Sequence, residues 1–198
     1  MTSENAYRAT ITSFGDEWSR FDQSAMEQEE LHRMFQRYFG IFPWDALPSN
    51  AEGYDLGCGS GRWASFVAPR VGKLNCIDPS LDALAVARSN LKTSANVVFH
   101  EATANDETLP AESQDFGYSL GVLHHIPDTA AALRAATRPL KPGAPFLLYL
   151  YYRFDNRPAW FRAIWKASEV GRSVISKMPN KAKHGVTDII AATVYFPL

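Results

Sequence analysis

Short apolar runs alternate with stretches of helical periodicity between residues 50 and 152 of this 198-residue chain. Runs of four to eight apolar residues bounded by glycine, proline or polar residues are typical of buried strands. The pattern predicts five strands, the first ending at Leu56 and the others spanning residues 73–77, 96–99, 115–120 and 145–152. Helices are predicted between them at about residues 61–69, 81–91 and 130–138. This alternation predicts parallel βαβ units, so we expect an α/β fold with a doubly wound, mostly parallel sheet.

The segments on either side of this core are expected to be helical. We divide the chain into an N-terminal helical segment at 1–50, a ligand-binding core at 51–152 and a basic amphipathic helical segment at 153–198. Residues 27–39 show helical periodicity, and Gly40 ends that helix. We expect the aromatic residues before it to pack the segment onto the core, or alternatively to form a lid over the ligand: Phe14, Trp18 and Phe21.

The C-terminal segment combines an apolar face with positive charge. Its predicted helix carries Trp160, Ile164 and Val174 on one face, opposite Arg162, Lys166 and Arg172. We expect an ordinary surface helix, the alternative being a helix that contacts a membrane or an acidic substrate. The apolar run at 189–196 fits a helix as well as a strand.

Composition and charge narrow the class of protein. With 46% hydrophobic residues, the chain can bury one sizeable core. The net charge of −1 leaves only the basic tail to suggest nucleic acid, and no nucleic-acid module accompanies it. We see neither an apolar run of about 18 residues nor a secretory leader, and therefore expect no membrane span. Cys58 and Cys76 lack metal-site spacing, so we predict reduced thiols, no metal site and a cytoplasmic location.

A glycine-rich loop follows the first predicted strand. Asp55 is followed by Gly57, Gly59 and Gly61 at alternate positions, and a helical pattern begins at Arg62. Glycines allow sharp turns and close approach of a ligand to the backbone, and a helix start offers unpaired N–H groups. A dinucleotide-binding fingerprint would require glycine where Arg62 stands. The loop therefore favours a small nucleoside ligand over a pyrophosphate.

The second predicted strand delivers a carboxylate to the same edge of the sheet. Asp78 lies 21 residues after Gly57, an interval at which doubly wound nucleotide sites bind ribose hydroxyls. The alternative is that Asp78 is only a turn acid before Pro79. The combination of loop and acid favours the nucleoside site. We also expect backbone carbonyls at residues 119–121, after the fourth strand, to hold an ammonium group.

Five motifs occur in one order along the core: Asp55–Gly61, Ile77–Ser80, Leu109-Pro110 with Asp115-Phe116, Gly121–Asp128 and Leu140–Gly143. This succession resembles the motifs of class I S-adenosylmethionine-dependent methyltransferases over roughly residues 50–152. The resemblance implies a Rossmann-like three-layer domain with S-adenosylmethionine as cofactor and S-adenosylhomocysteine as product. It also implies cofactor contacts from Asp55, Gly57, Cys58, Gly59, Gly61, Asp78, Pro79, Ala104 and Leu120. Asp78 would bind the ribose, Ala104 the adenine, and Leu120 would flank the methionine end.

The expected reaction is transfer of a methyl group to a small molecule. Positioning and desolvation can supply much of this chemistry, and a base is needed only for a hydroxyl or thiol acceptor. His124 and His125 are the only bases at the correct edge, although we favour a packing role for both. Tyr151, Tyr152 and Arg153 are weaker candidates for the acceptor pocket. The alternatives are a nucleoside-binding module without transfer and a transferase of another group, such as an aminopropyl transferase.

The resembled fold continues after strand five with a helix and an antiparallel hairpin. Only residues 153–198 follow here, so we expect that the hairpin is lacking and that the chain is a piece of a longer protein. Strand five would then be an exposed edge, which favours pairing with a second copy.

Overall fold

The computed structural model describes residues 27–151, 156–176, 178, 180–190 and 193. The chain divides after Tyr151 into two compact units. The aromatic residues before position 27, with the packing and lid hypotheses attached to them, lie outside the described residues. So do Tyr152 and Arg153, two of the candidate acceptor-pocket residues.

Five parallel strands form the sheet of the first unit, in the order β3-β2-β1-β4-β5. This confirms the predicted fold class. The strand order reverses between β1 and β4, and ligands of doubly wound sheets bind beside such a switch point. The strands are β1 (Glu52–Leu56), β2 (Lys73–Asp78), β3 (Val97–Glu101), β4 (Phe116–Leu120) and β5 (Phe146–Tyr149).

Helices cover both faces of the sheet, so that the first unit has three layers. The core on one face joins α1 (Gln28–Phe39), α2 (Ala64–Val67) and α3 (Leu81–Asn90) to residues such as Leu74 and Phe116. The core on the other face joins α4 (Thr129–Thr137) to Tyr54, Leu56 and Ile77. α1 contributes Leu31, Phe35 and Phe39, all buried, as its helical periodicity predicts.

The helix after the glycine loop is much shorter than predicted. Helical structure was expected from about residue 61, yet α2 begins at Ala64 and spans one turn. Gly59 and Gly61 have φ values of 52° and 75°, which keep the backbone out of the helical region. At the other end the chain passes into a 3-10 turn at Ala68–Arg70, where Pro69 has no N–H to continue the α-helical pattern. A full helix start therefore does not face the loop.

A polar network joins Glu52 and Lys73, at the amino ends of β1 and β2, to Asn75 in the middle of β2. The Asn75 amide nitrogen lies 3.1 Å from Glu52 Oε1 and 3.2 Å from Gln114 Oε1, and the Asn75 amide oxygen lies 3.0 Å from His100 Nε2. Lys73 Nζ donates to Glu52 Oε1 at 2.7 Å. These buried and half-buried groups satisfy one another, so this edge of the sheet carries a structural role.

The second unit contains α5 (Ala159–Ser176) and α6 (Asn180–Ile190). The apolar residues Trp160, Ile164 and Val174 of α5 are exposed. Ile189 and Ile190 end α6, so the apolar run that fitted either a helix or a strand begins as helix. None of the helices in the described residues is long and apolar enough to cross a membrane.

Candidate active site

Backbone hydrogen bonds, two of them to Ile77 of β2, hold the glycine loop in place. Gly57 N and Cys58 N donate to Ile77 O at 2.7 and 3.1 Å, and Gly61 N donates to Cys58 O at 2.9 Å. Gly57 has a φ of 79°, and a Cβ there would lie 2.4 Å from Val122 Cγ2. Glycine is therefore required at this position both for the turn and for packing against the loop after β4.

Asp78 braces the glycine loop against the start of α3. Its Oδ2 accepts from Gly59 N at 3.0 Å, and its Oδ1 accepts from Ser80 N at 2.9 Å. Asp78 therefore does act as a turn residue, as the alternative proposed. Each of its carboxylate oxygens can still accept a further hydrogen bond from a ribose hydroxyl. Burial raises the pKa of Asp78, while the two N–H donors, from Ser80 and Gly59, act to lower it.

Asp55 lies buried in β1, next to Cys76 of β2 and Tyr118 of β4 in the sheet. It is 2% exposed, and its Oδ2 has no hydrogen-bond partner of acceptable geometry. Burial raises its pKa to about 8; the nearby Tyr118 hydroxyl opposes the shift, and the charge of Asp78 adds to it. The unpartnered Asp55 Oδ2, beside the glycine loop, fits a positively charged ligand group. S-adenosylmethionine carries both a sulfonium and an ammonium.

The remaining predicted cofactor residues lie around the same edge. Cys58 is buried, its thiol lies 3.9 Å from Gly59 O, and its backbone N–H and C=O bond to Ile77 O and Gly61 N. Pro79 is half-buried beside Asp78. Leu120 ends β4, where Ser119 Oγ donates to Leu56 O at 2.9 Å and joins the ends of β4 and β1.

Ala104 lines a small cleft beneath the loop that follows β3. Leu56, Ile77 and Leu109 contribute apolar walls to the cleft, and Asp106 lies at it as well. The cleft is at the ends of β1 and β2, on the sheet face that α4 covers. The cleft has room for little more than a water molecule, so it does not test the adenine site, and Ala104 stays a predicted adenine contact.

The two histidines follow β4 in a 3-10 turn, Leu123–His125. Both ring nitrogens of His124 are buried and have no hydrogen-bond partner, and its ring centroid lies 4.1 Å from that of His125 and 4.4 Å from that of Tyr151. Burial lowers the pKa of both histidines, and His125 lowers that of His124 further. His124 is therefore a neutral imidazole near pH 7, the form that can accept a proton.

Two residues near this edge were missed as site candidates. Tyr38 was assigned only to the apolar face of α1, and Arg62 was noted only as a departure from a dinucleotide fingerprint. The Tyr38 ring lies 5.2 Å from both Trp63 and Tyr149. No sequence signal set Tyr38 apart from the core residues on the same helical face.

Residues 54–148 match the family of methyltransferase domains. The chain contains a class I S-adenosylmethionine-dependent methyltransferase domain. The ubiquinone biosynthesis O-methyltransferase of Sodalis glossinidius is 30% identical over 165 residues, which cover 81% of this chain and 59% of that relative. The chain thus spans less than two thirds of the length of this curated relative.

Solved structures agree with the methyltransferase fold. The YcgJ protein of Bacillus subtilis has 27% identity and a TM-score of 0.51, with 62% of this chain and 50% of that chain covered. Phosphoethanolamine N-methyltransferase 1 of Haemonchus contortus, in complex with phosphoethanolamine and S-adenosylhomocysteine, shares the fold at 19% identity and a TM-score of 0.57, over 71% of this chain and 31% of that one. The resemblance read from the motifs is confirmed. The cofactor of the methyltransferase domain is S-adenosylmethionine, which Asp55 and the glycine loop fit.

Proposed function

We propose that this protein transfers a methyl group from S-adenosylmethionine to a small-molecule acceptor. The observation that carries the proposal is the bracing of Gly59 by Asp78, which places a carboxylate and a glycine loop together at the switch point of the sheet. Relatives named for O-methyl transfer in ubiquinone biosynthesis support a hydroxyl oxygen as the accepting atom.

Each group at this edge has a defined task in the proposed reaction. When bound, S-adenosylmethionine supplies a methyl group activated by its sulfonium. The backbone of Gly57 and Gly59 holds the methionine part, and Asp78 accepts hydrogen bonds from the ribose hydroxyls. Asp55 faces the positive end, and a nearby positive charge favours its ionised form. Ala104 contacts the adenine, as the motif resemblance implies.

His124 is the base that we propose for a hydroxyl acceptor. It is neutral near pH 7, and neither ring nitrogen is engaged elsewhere in the described residues. A positioned imidazole can remove the hydroxyl proton as the new carbon–oxygen bond forms. Proton removal of this kind typically contributes about 10²–10⁴-fold in rate.

Calorimetric titration with S-adenosylhomocysteine tests cofactor binding, and transfer of a labelled methyl group to a panel of small hydroxyl compounds tests catalysis. We expect binding at micromolar concentration and label in one acceptor class. A folded protein that fails to bind at high micromolar concentration would contradict the proposal. Binding without any transfer would favour a nucleoside-binding module.

We also propose that the protein is cytoplasmic and pairs through the edge of β5. Two buried free cysteines support a reducing compartment. β5 lies at one end of the described sheet order, and an edge strand is a template for pairing. Light scattering between about 10 and 100 μM measures the mass, and a monomer throughout that range would argue against edge pairing.

A further inference from the structure

A row of polar aromatic rings runs along the carboxyl ends of β1, β4 and β5. Neighbouring ring centroids lie 4.4 to 5.6 Å apart. We call this row the aromatic ledge; its members are Trp63, Tyr38, Tyr149, Tyr151 and His124. Tyr149 and Tyr151 are 38% and 64% exposed, so this part of the ledge can be reached by a ligand.

Arg62 lies at one end of the aromatic ledge. Its guanidinium carbon is 4.2 Å from the Trp63 ring centroid, and its Nε is buried without a hydrogen-bond partner. Within the described part of the chain, no carboxylate forms an ion pair with Arg62. Burial lowers the pKa of Arg62, and the nearby Tyr38 and Tyr151 act in the opposite direction. A partly desolvated cation without a counter-charge is ready for an anion.

The β5 end of the aromatic ledge lies away from the proposed ribose site. Asp78 ends β2, and the strand order places β1 and β4 between β2 and β5. Three strand spacings separate Asp78 from Tyr149 by about 14 Å. The Tyr149 end of the ledge is therefore free for the acceptor, while the other end, at Arg62 and Trp63, directly follows the glycine loop.

We propose that Arg62 and the aromatic ledge form the acceptor subsite, with the Arg62 guanidinium binding a carboxylate carried by an aromatic acceptor. This inference rests on the proposed function. Guanidinium and carboxylate form paired, charge-assisted hydrogen bonds, and tyrosine rings pack well against an aromatic ring. A neutral acceptor would leave Arg62 uncompensated, so the subsite discriminates by charge.

The test compares 3-hydroxybenzoate with 3-hydroxybenzamide, which share a shape and differ in charge. Each compound is titrated calorimetrically into the full chain saturated with S-adenosylhomocysteine. We expect the benzoate to bind at least about tenfold more tightly, the scale of a hydrogen bond to a charged group. Arg62→Gln should bring the two affinities within about twofold, and Arg62→Lys should retain part of the preference because the charge remains.

Arg70→Gln is the matched control. Arg70 also lies over an aromatic ring, with its guanidinium carbon 5.0 Å from the Phe35 centroid, but it is exposed and lies outside the ledge. The control should leave the benzoate preference unchanged. Equal loss in both variants, or no benzoate binding to the saturated wild-type chain at 10 mM, would overturn the acceptor subsite. S-adenosylhomocysteine binding in the same samples reports separately on the proposed function.

The methionine end of the cofactor also carries a carboxylate, and a second comparison distinguishes the two sources. S-adenosylhomocysteine is compared with 5′-methylthioadenosine, which lacks the amino-acid end. If Arg62→Gln lowered the affinity for S-adenosylhomocysteine about tenfold and left that for 5′-methylthioadenosine unchanged, Arg62 would bind the cofactor and the proposal would be wrong. Unchanged affinity for both nucleosides, together with the lost benzoate preference, supports the acceptor subsite.

Discussion

The two ends of the parallel sheet differ in how their buried polar groups are satisfied. Towards the amino end, a network centred on Asn75 links Glu52 and Gln114, and it reaches His100 near the end of β3. Towards the carboxyl end lie all the buried side-chain polar atoms without partners in the described residues. They are Asp55 Oδ2, Arg62 Nε, Tyr118 Oη and both ring nitrogens of His124.

We infer that this difference separates the part of the molecule that stabilises the fold from the proposed ligand-binding part. An unsatisfied buried polar group costs about 1–3 kcal/mol, so several at one edge are a substantial burden on a domain of this size. A network at the opposite edge whose members bond to one another carries no such cost. The unsatisfied atoms lie near the switch point of the sheet, where ligands of doubly wound folds bind. Ligand groups are therefore their expected partners.

The amino-end network predicts the largest effect on stability. Asn75→Leu removes the shared partner of Glu52, Gln114 and His100, and we expect the free energy of unfolding to fall by about 3 kcal/mol. Urea denaturation measures this loss. The folded variant should bind S-adenosylhomocysteine within about twofold of wild type. The exposed Asn105→Leu is the control, and equal stability of the two variants would remove the distinction between the edges.

The carboxyl end predicts a loss of affinity. Asp78→Ala removes the proposed ribose acceptor, and S-adenosylhomocysteine binding should weaken by about 1.5–3 kcal/mol, measured by calorimetry. Asp82 is exposed in the first turn of α3, so the Asp82→Ala variant should bind S-adenosylhomocysteine like wild type. Retained affinity in Asp78→Ala would take this carboxylate out of the ligand site.

Asp55 predicts an unusual dependence of stability on pH. Its pKa of about 8 in the folded chain is above the ordinary value near 4, so its protonated form favours folding. That stabilisation is complete below about pH 4 and is lost as the pH rises towards 8. Asp55→Asn should remove this pH dependence and gain about 1–2 kcal/mol over wild type at pH 8.5.

Thermal unfolding at pH 6 and pH 8.5 measures the Asp55 effect, with the exposed Asp45→Asn as control. The same Asp55→Asn substitution should weaken the binding of S-adenosylmethionine more than that of S-adenosylhomocysteine, because only S-adenosylmethionine carries a positive charge at sulfur. Parallel pH profiles for wild type and Asp55→Asn would contradict a titrating Asp55.

Surface ion pairs at the amino end predict the smallest effect. Lys141 Nζ lies 2.6 Å from Asp115 Oδ1, and its side chain is 48% exposed. Lys141→Ala should cost about 0.5 kcal/mol at low salt and less at 1 M salt, because exposed pairs are screened. Urea denaturation at both salt concentrations checks this, with the exposed Lys92→Ala as control. A loss above about 2 kcal/mol would place Lys141 within the structural network.

The sheet could be predicted because its strands are short apolar runs in a regular alternation with helices. The pairing of Asp78 with the glycine loop was also predictable, since parallel strands bring their carboxyl ends together. The one-turn length of α2 was not. It depends on left-handed backbone at Gly59 and Gly61, which apolar periodicity does not report.

Arg62 and Tyr38 illustrate a second limit. Their importance lies in a contact between the end of α1 and the glycine loop, two segments distant in sequence. A tyrosine at a helical apolar position is indistinguishable from a core residue until its neighbours are known. That Tyr38 lies beside the exposed Tyr149, and that Arg62 Nε has no partner, is known only from the structure.

The hydrogen bonds from Gly59 and Ser80 to Asp78 are made within the protein itself. The glycine loop is therefore pre-organised, and association freezes little additional backbone motion. In the proposed function these contacts would hold the nucleoside equally before and after methyl transfer. Such uniform binding lowers KM without raising kcat. In the proposed function the same contacts would also hold the demethylated product, so we expect S-adenosylhomocysteine to compete with S-adenosylmethionine.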